Sequence, residues 1–457
     1  MAERAKPDAF DVIVVGGGPG GEDVAGRLAE AGLHVAAVEG RLFGGECPYW
    51  GCIPSKMTVR AAELIAETRR VPGMAGDSTV SPDWSPVARR IRDEATDNWD
   101  DRAAVERLTA KGGHFVRGWG HVTGPDEITV RSAGDGVRVL RATRGIVLAI
   151  GSQPTIPPIE GLAGTPYWTN REALETEEVP GSLAVLGAGT IGAELAQAFA
   201  RFGASVTMVE SADRILPAEE PETSELVAGA FRADGIGLRT GVRATRAAHD
   251  GERFTLHLND GSTAEGERLL VATGRHSDLA ALGVGAAGLD ESARTIATDG
   301  RMRAGGKLWA LGDVTGRGAF THMSMYQADI VVKDILGEPV HEAEYHAVPR
   351  VTFTDPEIGS VGLTEAQARR QGLDVRTATG DLGSRGWIHR AEGFFKLVAA
   401  DGVLVGATSA GPGGGEPLGM LTLAVHARIP VARLNEMIYA FPTFHRGIMG
   451  ALAELSL

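Results

Sequence analysis

The sequence predicts an α/β protein of several domains, and three observations predict it. At 457 residues the chain is too long for one ordinary core. Its 43% hydrophobic content and 63 glycines fit a loop-rich globular chain. A strand–turn–helix–strand pattern is also written in it twice, over residues 10–40 and again over 182–211.

The first copy reads FDVIVVGGGPGGEDVAGRLAEAGLHVAAVEG. Its apolar run at 12–15 is a buried strand, and Gly16, Gly18 and Gly21 fill a G-x-G-x-x-G pattern. Such glycines permit a tight turn, close approach of backbone to a pyrophosphate, and close packing of helix on strand. The free N–H groups of the helix start face the phosphates. Glu39 closes the second strand 23 residues after Gly16, where a carboxylate accepts hydrogen bonds from ribose hydroxyls. The second copy, SLAVLGAGTIGAELAQAFARFGASVTMVES, places Gly187, Gly189 and Gly192 in the same pattern, with Glu210 at the same offset. Two complete βαβ contexts predict two Rossmann-like dinucleotide sites. Glu210 repels a 2′-phosphate and so favours NADH over NADPH; the nearby Arg214 weakens that preference without reversing it.

Between the copies lies GGECPYWGCIPSKM, residues 44–57, which holds the only two cysteines of the chain, Cys47 and Cys52. A single close pair is not a disulfide scaffold for a chain of this length, and in a cytosolic setting it reads as redox-active or metal-binding. Zinc takes about four ligands, and two Cys without nearby His fall short, so redox chemistry is the better reading. The formal charge of −14 argues against a nucleic-acid or anionic-membrane surface as the main partner. The first residues, MAERAKPDAF, have no apolar signal core, and no run of 18 apolar residues follows, so a cytoplasmic protein is expected. Residues 71–86 read as a long loop, and 153–164 and 411–419 as Gly/Pro-rich connections.

With these motifs in place, the chain resembles the FAD-dependent pyridine nucleotide–disulfide oxidoreductases: lipoamide dehydrogenase, glutathione reductase and mercuric reductase. The resemblance runs nearly end to end and includes LAIGSQPTIPPIEG from Leu148, LLVATGRHSDL from Leu269, LWALGDVTG from Leu308 and VTFTDPEIGSVGLTEAQA from Val351. It implies an FAD-binding domain over 1–150, an NAD(H)-binding domain over 151–275, a central domain over 276–345 completing the FAD site, and an α+β dimerisation domain over 346–457. It also implies a homodimer. By the same resemblance, Gly45 and Gly151 belong to the FAD site and Asp313 binds the ribityl chain. Lys56 lies near the flavin N5, paired with Glu194, and the stretch ATGR with Gly274 closes the NAD site. Gly120 and His121, in VRGWGHVTG, contact adenine or ribose through backbone atoms, and His322 packs near the flavin. Cys47 and Cys52 then alternate between disulfide and dithiol: Cys52 is the sulfur nearer the flavin ring, and Cys47 attacks an external disulfide. A helix start and the cation Lys56 stabilise a thiolate, lowering a thiol from about 8.5.

The pattern breaks near the C-terminus. Disulfide-reducing members carry His-Pro-Thr and then Glu, a base and its orienting carboxylate supplied across the dimer. Here YAFPTFHRGIMGAL places Phe441 at the His position and Arg446 at the Glu position. His445 is either a replacement base or a surface or capping histidine, and Arg446 is a candidate for an anionic substrate group. Tyr49 and Trp50 replace an Asn and a small aliphatic residue. They read either as an aromatic wall beside the sulfurs, joined by Phe441 and Phe444, or as interface filler. Ile150 stands at a usual threonine. The helix PSKMTVRAAELI resembles that of mercuric reductase, but both cysteines are already used and none remains to pass metal inward, so mercury reduction is not expected. The expected enzyme takes electrons from NADH through FAD to the sulfur pair and on to a small disulfide other than lipoamide. Two alternatives stay open: a quinone-reducing diaphorase acting from the flavin, and a redox-sensing protein with little turnover.

Overall fold

The computed structural model describes residues 8–132, 134 and 136–455. The architecture is mixed α/β, and the chain divides into two compact units. One gathers the segments up to Pro54, Arg89–Thr155 and Arg275–Glu344; the other gathers Ser55–Ala88, Ile156–Gly274 and the segment from Tyr345 onward.

The first unit is built on an eight-stranded sheet. Its parallel core runs in the order Leu308–Ala310, Gly136–Leu148, Asp8–Val15, Val35–Glu39 and His114–Arg117. Val12, Ile13 and Val14 are fully buried, as strands covered on both faces require. The helix Pro19–Glu30 follows, with Pro19 in its first turn, where a missing N–H costs nothing. It buries Val24, Ala25 and Leu28 against Val12, Val14 and Ala328. The strand Gly136–Leu148 has three partners, Glu127–Ser132, Asp8–Val15 and Leu308–Ala310. Its early residues pair antiparallel with Glu127–Ser132, and its later ones run parallel to Asp8–Val15. Late in the chain, Arg303–Gly305 and Leu308–Ala310 return to this same sheet.

The second unit repeats the first motif in a four-stranded parallel sheet, ordered Gly237–Arg239, Ser205–Val209, Ser182–Leu186 and Arg268–Val271. The copies agree in detail. Gly16 N–H donates to Val38 O at 2.9 Å, and Gly187 N–H to Val209 O at 2.8 Å. A separate antiparallel sheet of five strands, with Phe394–Ala400 and Val403–Gly411 at its centre, carries the helices Leu418–His426 and Phe444–Leu455 on a core of Phe395, Leu397, Leu421, Ile448 and Leu452. Gly380 and Gly447 let the last helix lie directly on backbone: a β-carbon at either would meet main-chain atoms at 2.9 Å or less. Residues 71–84 form no regular element, whereas Ser85 and Pro86, expected in the same loop, begin the helix Ser85–Arg89; Trp84 stacks on Phe199 and donates its indole N–H to Thr176 O.

The glycines of the first turn differ in what they permit. A β-carbon on Gly21 would sit 2.1 Å from Gly16 O, whereas one on Gly18 would meet nothing within 4 Å. Gly21→Ala is therefore expected to lower stability by about 1–3 kcal/mol, and Gly18→Ala to stay within about 1 kcal/mol of wild type. Urea midpoints of the two variants check this, and equal midpoints would remove the steric account.

Candidate functional site

In the first unit the acid predicted to hold a ribose is locked in place. Glu39 accepts the Gly17 N–H at 2.8 Å on one oxygen and the Arg41 N–H at 2.7 Å on the other. The helix start after Gly18 and the open space at that glycine form a cradle that a β-carbon would fill. These residues fit the pyrophosphate and ribose of a dinucleotide. Gly120 lies in the strand Trp119–Gly124, paired with Val130. The His121 ring is engaged structurally, donating Nδ1–H to Ala281 O at 3.0 Å beneath Gly283. Ile150 packs against the core below the sheet.

The sulfur loop packs against this turn. Gly45 adopts φ 74°, and a β-carbon there would lie 2.6 Å from Gly18 Cα, so only glycine brings the two loops together. Cys47 lies in the short helix Glu46–Tyr49, and Cys52 opens the helix Cys52–Arg70. Cys47 is half-buried and Cys52 exposed. The Cys47 thiol is hydrogen-bonded to Cys52, and this contact, reinforced by burial, pushes its pKa well above the ordinary thiol range. The two thiols therefore do not ionise independently, and Cys52 sits at a helix N-terminus, where a negative charge is favoured. Thr321, the first residue of the helix Thr321–Leu336, brings its hydroxyl within 3.4 Å of Cys52 Sγ.

Tyr49 takes neither place read for it from the sequence, a wall beside the sulfurs or interface filler. Tyr49 is buried beneath the loop and donates its hydroxyl to Phe43 O at 3.1 Å. Burial, then the charge of Asp101, pushes its pKa up to about 12. Its ring is buried and its hydroxyl is satisfied by Phe43 O, so it is a core residue of the loop. Trp50 lies half-buried beside it.

Asp313 is held by a short chain of polar contacts. Ser152 Oγ donates to it at 2.5 Å, and Arg275 donates Nε–H to Ser152 Oγ at 2.9 Å while approaching Glu46 at 3.6 Å. Arg275 thus links the Asp313 side to the sulfur loop, next to Gly151, whose carbonyl accepts from Ser277. His322, one residue past Thr321, stacks on Phe320.

The second unit holds Glu210 as the first holds Glu39: Ala188 N–H donates to one oxygen at 2.7 Å and Ala212 N–H to the other at 2.9 Å. Gly189, like Gly18, has open space where a β-carbon would lie, and so has Gly274. Gly192 backs onto Gly187 O. Arg214 is committed elsewhere, donating to Ser224 Oγ at 2.7 Å and to the carbonyls of Pro217 and Glu219 at 2.9 Å. Lys56 and Glu194 meet at 2.7 Å; the other Glu194 oxygen accepts Phe353 N–H at 2.9 Å, and the Lys56 ammonium lies 4.5 Å from the Phe353 ring centroid.

In the C-terminal segment the last helix begins at Phe444, so His445 sits half-buried in its first turn. The Arg446 guanidinium lies over the exposed Phe441 ring at 5.5 Å. A second histidine, His389, packs at 5.2 Å from Phe444, and burial, then the charge of Arg385, lowers its pKa. Nothing in the local sequence points to Thr321, Ser152 or His389. Their significance comes from partners brought near by folding, and a hydroxyl beside a redox helix is the one signal to search for.

Replacing Glu194 tests the buried end of the pair. Glu194→Ala is expected to cost about 2–3 kcal/mol, less than a fully buried pair because Lys56 is partly exposed, and Glu194→Gln about half as much because it still accepts from Phe353. Urea unfolding of both variants measures the difference, and equal losses would assign the whole effect to charge.

Residues 10–328 match the pyridine nucleotide-disulphide oxidoreductase family and residues 348–452 its dimerisation domain. A mercuric reductase of Shewanella putrefaciens is 32% identical over 450 residues, covering 96% of this chain and 79% of that protein. A dihydrolipoyl dehydrogenase of Chlorobaculum tepidum is 33% identical, covering 97% and 96%. Among solved structures, the HOCl-induced flavoprotein disulfide reductase RclA from Escherichia coli, as a Cu(II) complex, superimposes with a TM-score of 0.86 at 25% identity, covering 98% of this chain and all of that one. Matched over most of its length in both domains, and by enzymes at a third identity across nearly all of it, the chain belongs to the pyridine nucleotide-disulphide oxidoreductases.

Proposed function

We propose that this enzyme is a cytoplasmic homodimer that oxidises NADH and, through FAD and the Cys47–Cys52 pair, reduces a small-molecule disulfide other than lipoamide. The observation that carries the reading is the sulfur pair, with Cys47 hydrogen-bonded to Cys52 and Cys52 at a helix start. Bound FAD supplies two-electron transfer between nicotinamide and sulfur. Gly16, Gly18, Gly21, Glu39, Gly45 and Asp313 are the residues that would hold it, with Gly120, His121 and Gly151 beside them. Gly187, Gly189, Gly192, Glu210 and Gly274 would hold the nicotinamide nucleotide. Arg214 supports NADH over NADPH, since its donors are engaged within its own loop.

Within the site, the Cys52 thiolate draws on the free N–H groups of its helix, and Cys47 holds the remaining proton until exchange begins. Lys56, fixed by Glu194, presents its ammonium on the same helix. His445 remains the candidate base for the step that releases thiol. Phe441 at the usual His position argues against lipoamide, and two cysteines in total argue against mercury. The homodimer reading is supported by the dimerisation-domain match and by large apolar side chains left exposed there, Trp387, Ile438 and Phe441. Among the described residues no helix is long and apolar enough to cross a membrane.

NADH oxidation by the purified holoenzyme against a panel of small disulfides tests the proposal. Cys47→Ser is expected to lower disulfide turnover by at least about 10³-fold, with NADH-to-quinone transfer retained. Disulfide turnover untouched by Cys47→Ser would overturn it, and quinone turnover that survives loss of both cysteines with no disulfide activity would favour the flavin-centred diaphorase.

A further inference from the structure

The expected base at the C-terminal segment is replaced by Phe441, yet the dithiol must lose a proton before it can attack a disulfide. The structure shows what lies against the sulfurs from their own chain. The Thr321 hydroxyl is 3.4 Å from Cys52 Sγ, and its influence reaches Cys47, whose pKa it pulls down. It stands at the first position of a 16-residue helix, half-buried. A hydroxyl rotates about a single bond, so one donor serves either sulfur without rebuilding the site.

We propose that Thr321 is a catalytic residue that holds the reduced sulfur pair as a monoanion at neutral pH, its hydroxyl donating to whichever sulfur carries the charge. The inference rests on the redox role of the pair argued above. In the dithiol, Cys52 is the thiolate and Cys47 the thiol. The proton passes from Cys47 to Cys52, no electrons move, and the hydroxyl turns to follow the charge. The Cys47 thiolate then attacks the acceptor R–S–S–R; a Cys47–S–S–R bond forms, the acceptor S–S bond breaks, and RS⁻ leaves. The Cys52 proton goes to that RS⁻, giving RSH. The Cys52 thiolate next displaces the second RS⁻, restoring the Cys47–Cys52 disulfide. One pair of electrons has reached the acceptor, and no outside base has been used.

Within four residues of these atoms on their own helices, the charged or titratable groups are Glu46 near Arg275, the buried Tyr49, Lys56 paired with Glu194, and His322 stacked on Phe320. They are common to wild type and variants, so a difference between proteins isolates the hydroxyl. Thr321→Val keeps the shape and removes the donor; Thr321→Ser keeps the donor. The measurement is the pH dependence of iodoacetamide alkylation of Cys47 and Cys52 in the reduced holoenzyme, read by peptide mass spectrometry. The first macroscopic pKa of the pair is expected to rise by about one unit in Thr321→Val, the size of a hydrogen bond to a charged group, and to return to within a few tenths in Thr321→Ser. A purely structural disturbance scales the rate at every pH and leaves the midpoint in place. An unshifted midpoint in Thr321→Val, or the same shift in Thr321→Ser, overturns the assignment. The redox reading is checked separately in wild type. Labelling should require NADH or a chemical reductant; labelling without either refutes that reading whatever the Thr321 variants do.

Discussion

Two sulfur atoms can share one proton only when they stay within a hydrogen bond of each other, and the sulfur loop is built around that requirement. Cys47 and Cys52 come from separate helices joined by Trp50 and Gly51. A β-carbon on Gly51 would press on Glu46 O at 3.0 Å, so the turn is as tight as the backbone allows. The loop is fixed from below by Tyr49 on Phe43 O, and Phe43 N–H in turn donates to Asp101 at 2.6 Å. With its pKa raised to about 12, Tyr49 stays neutral at neutral pH and places no charge under the sulfurs. Gly45 presses the loop against the turn at Gly18. Sulfur chemistry and nucleotide binding in this unit therefore share one piece of backbone.

The duplicated βαβ unit shows how far one constraint determines a site. Both copies place a glycine N–H on the carbonyl of the residue before the acid, Val38 or Val209, and both hold that acid with two main-chain N–H groups. The copies part just beyond that acid. After Glu39, Arg41 lies over the Trp119 ring at 5.6 Å; after Glu210, Arg214 braces its own loop, in which Leu216 adopts φ 45° and donates its N–H to Ala188 O. The shared part answers to the pyrophosphate and ribose that any dinucleotide presents. The divergent part is free to respond to what differs between ligands.

The fold class and both nucleotide turns were legible because their causes are local. A buried strand, a glycine that must have no β-carbon and an acid at a set distance are all written within some thirty residues. The Lys56–Glu194 pair, 138 residues apart, was reached only through resemblance, and the contact was then found at 2.7 Å. Tyr49 was read either as a wall residue or as interface filler and is neither, because one letter does not reveal which side of a tight turn a ring faces. Thr321 was invisible for a different reason. It lies 269 residues from Cys52 in the chain, and a threonine at a helix start carries no signal of what it will touch. Arg275 was read with the second nucleotide site, but its side chain reaches Ser152 and Glu46 in the first unit.

Losing a base at the exchange step changes what is asked of the acceptor. A hydroxyl can stabilise a thiolate, but it does not store a proton at neutral pH, so the site proposed here carries one mobile proton for two departing thiolates. The first takes that proton from Cys52; the second leaves as an anion unless His445 or solvent supplies another. Thiol–disulfide exchange runs faster when the departing thiol is more acidic. The proposed reaction therefore suits acceptors whose thiols are stable as anions near neutrality, rather than the alkyl thiols of a dihydrolipoyl group. Phe441, Phe444 and the guanidinium of Arg446 are the side chains that fold into the segment where the base would stand. Flat rings and a cation are poor proton carriers, but they match a delocalised thiolate in both shape and charge.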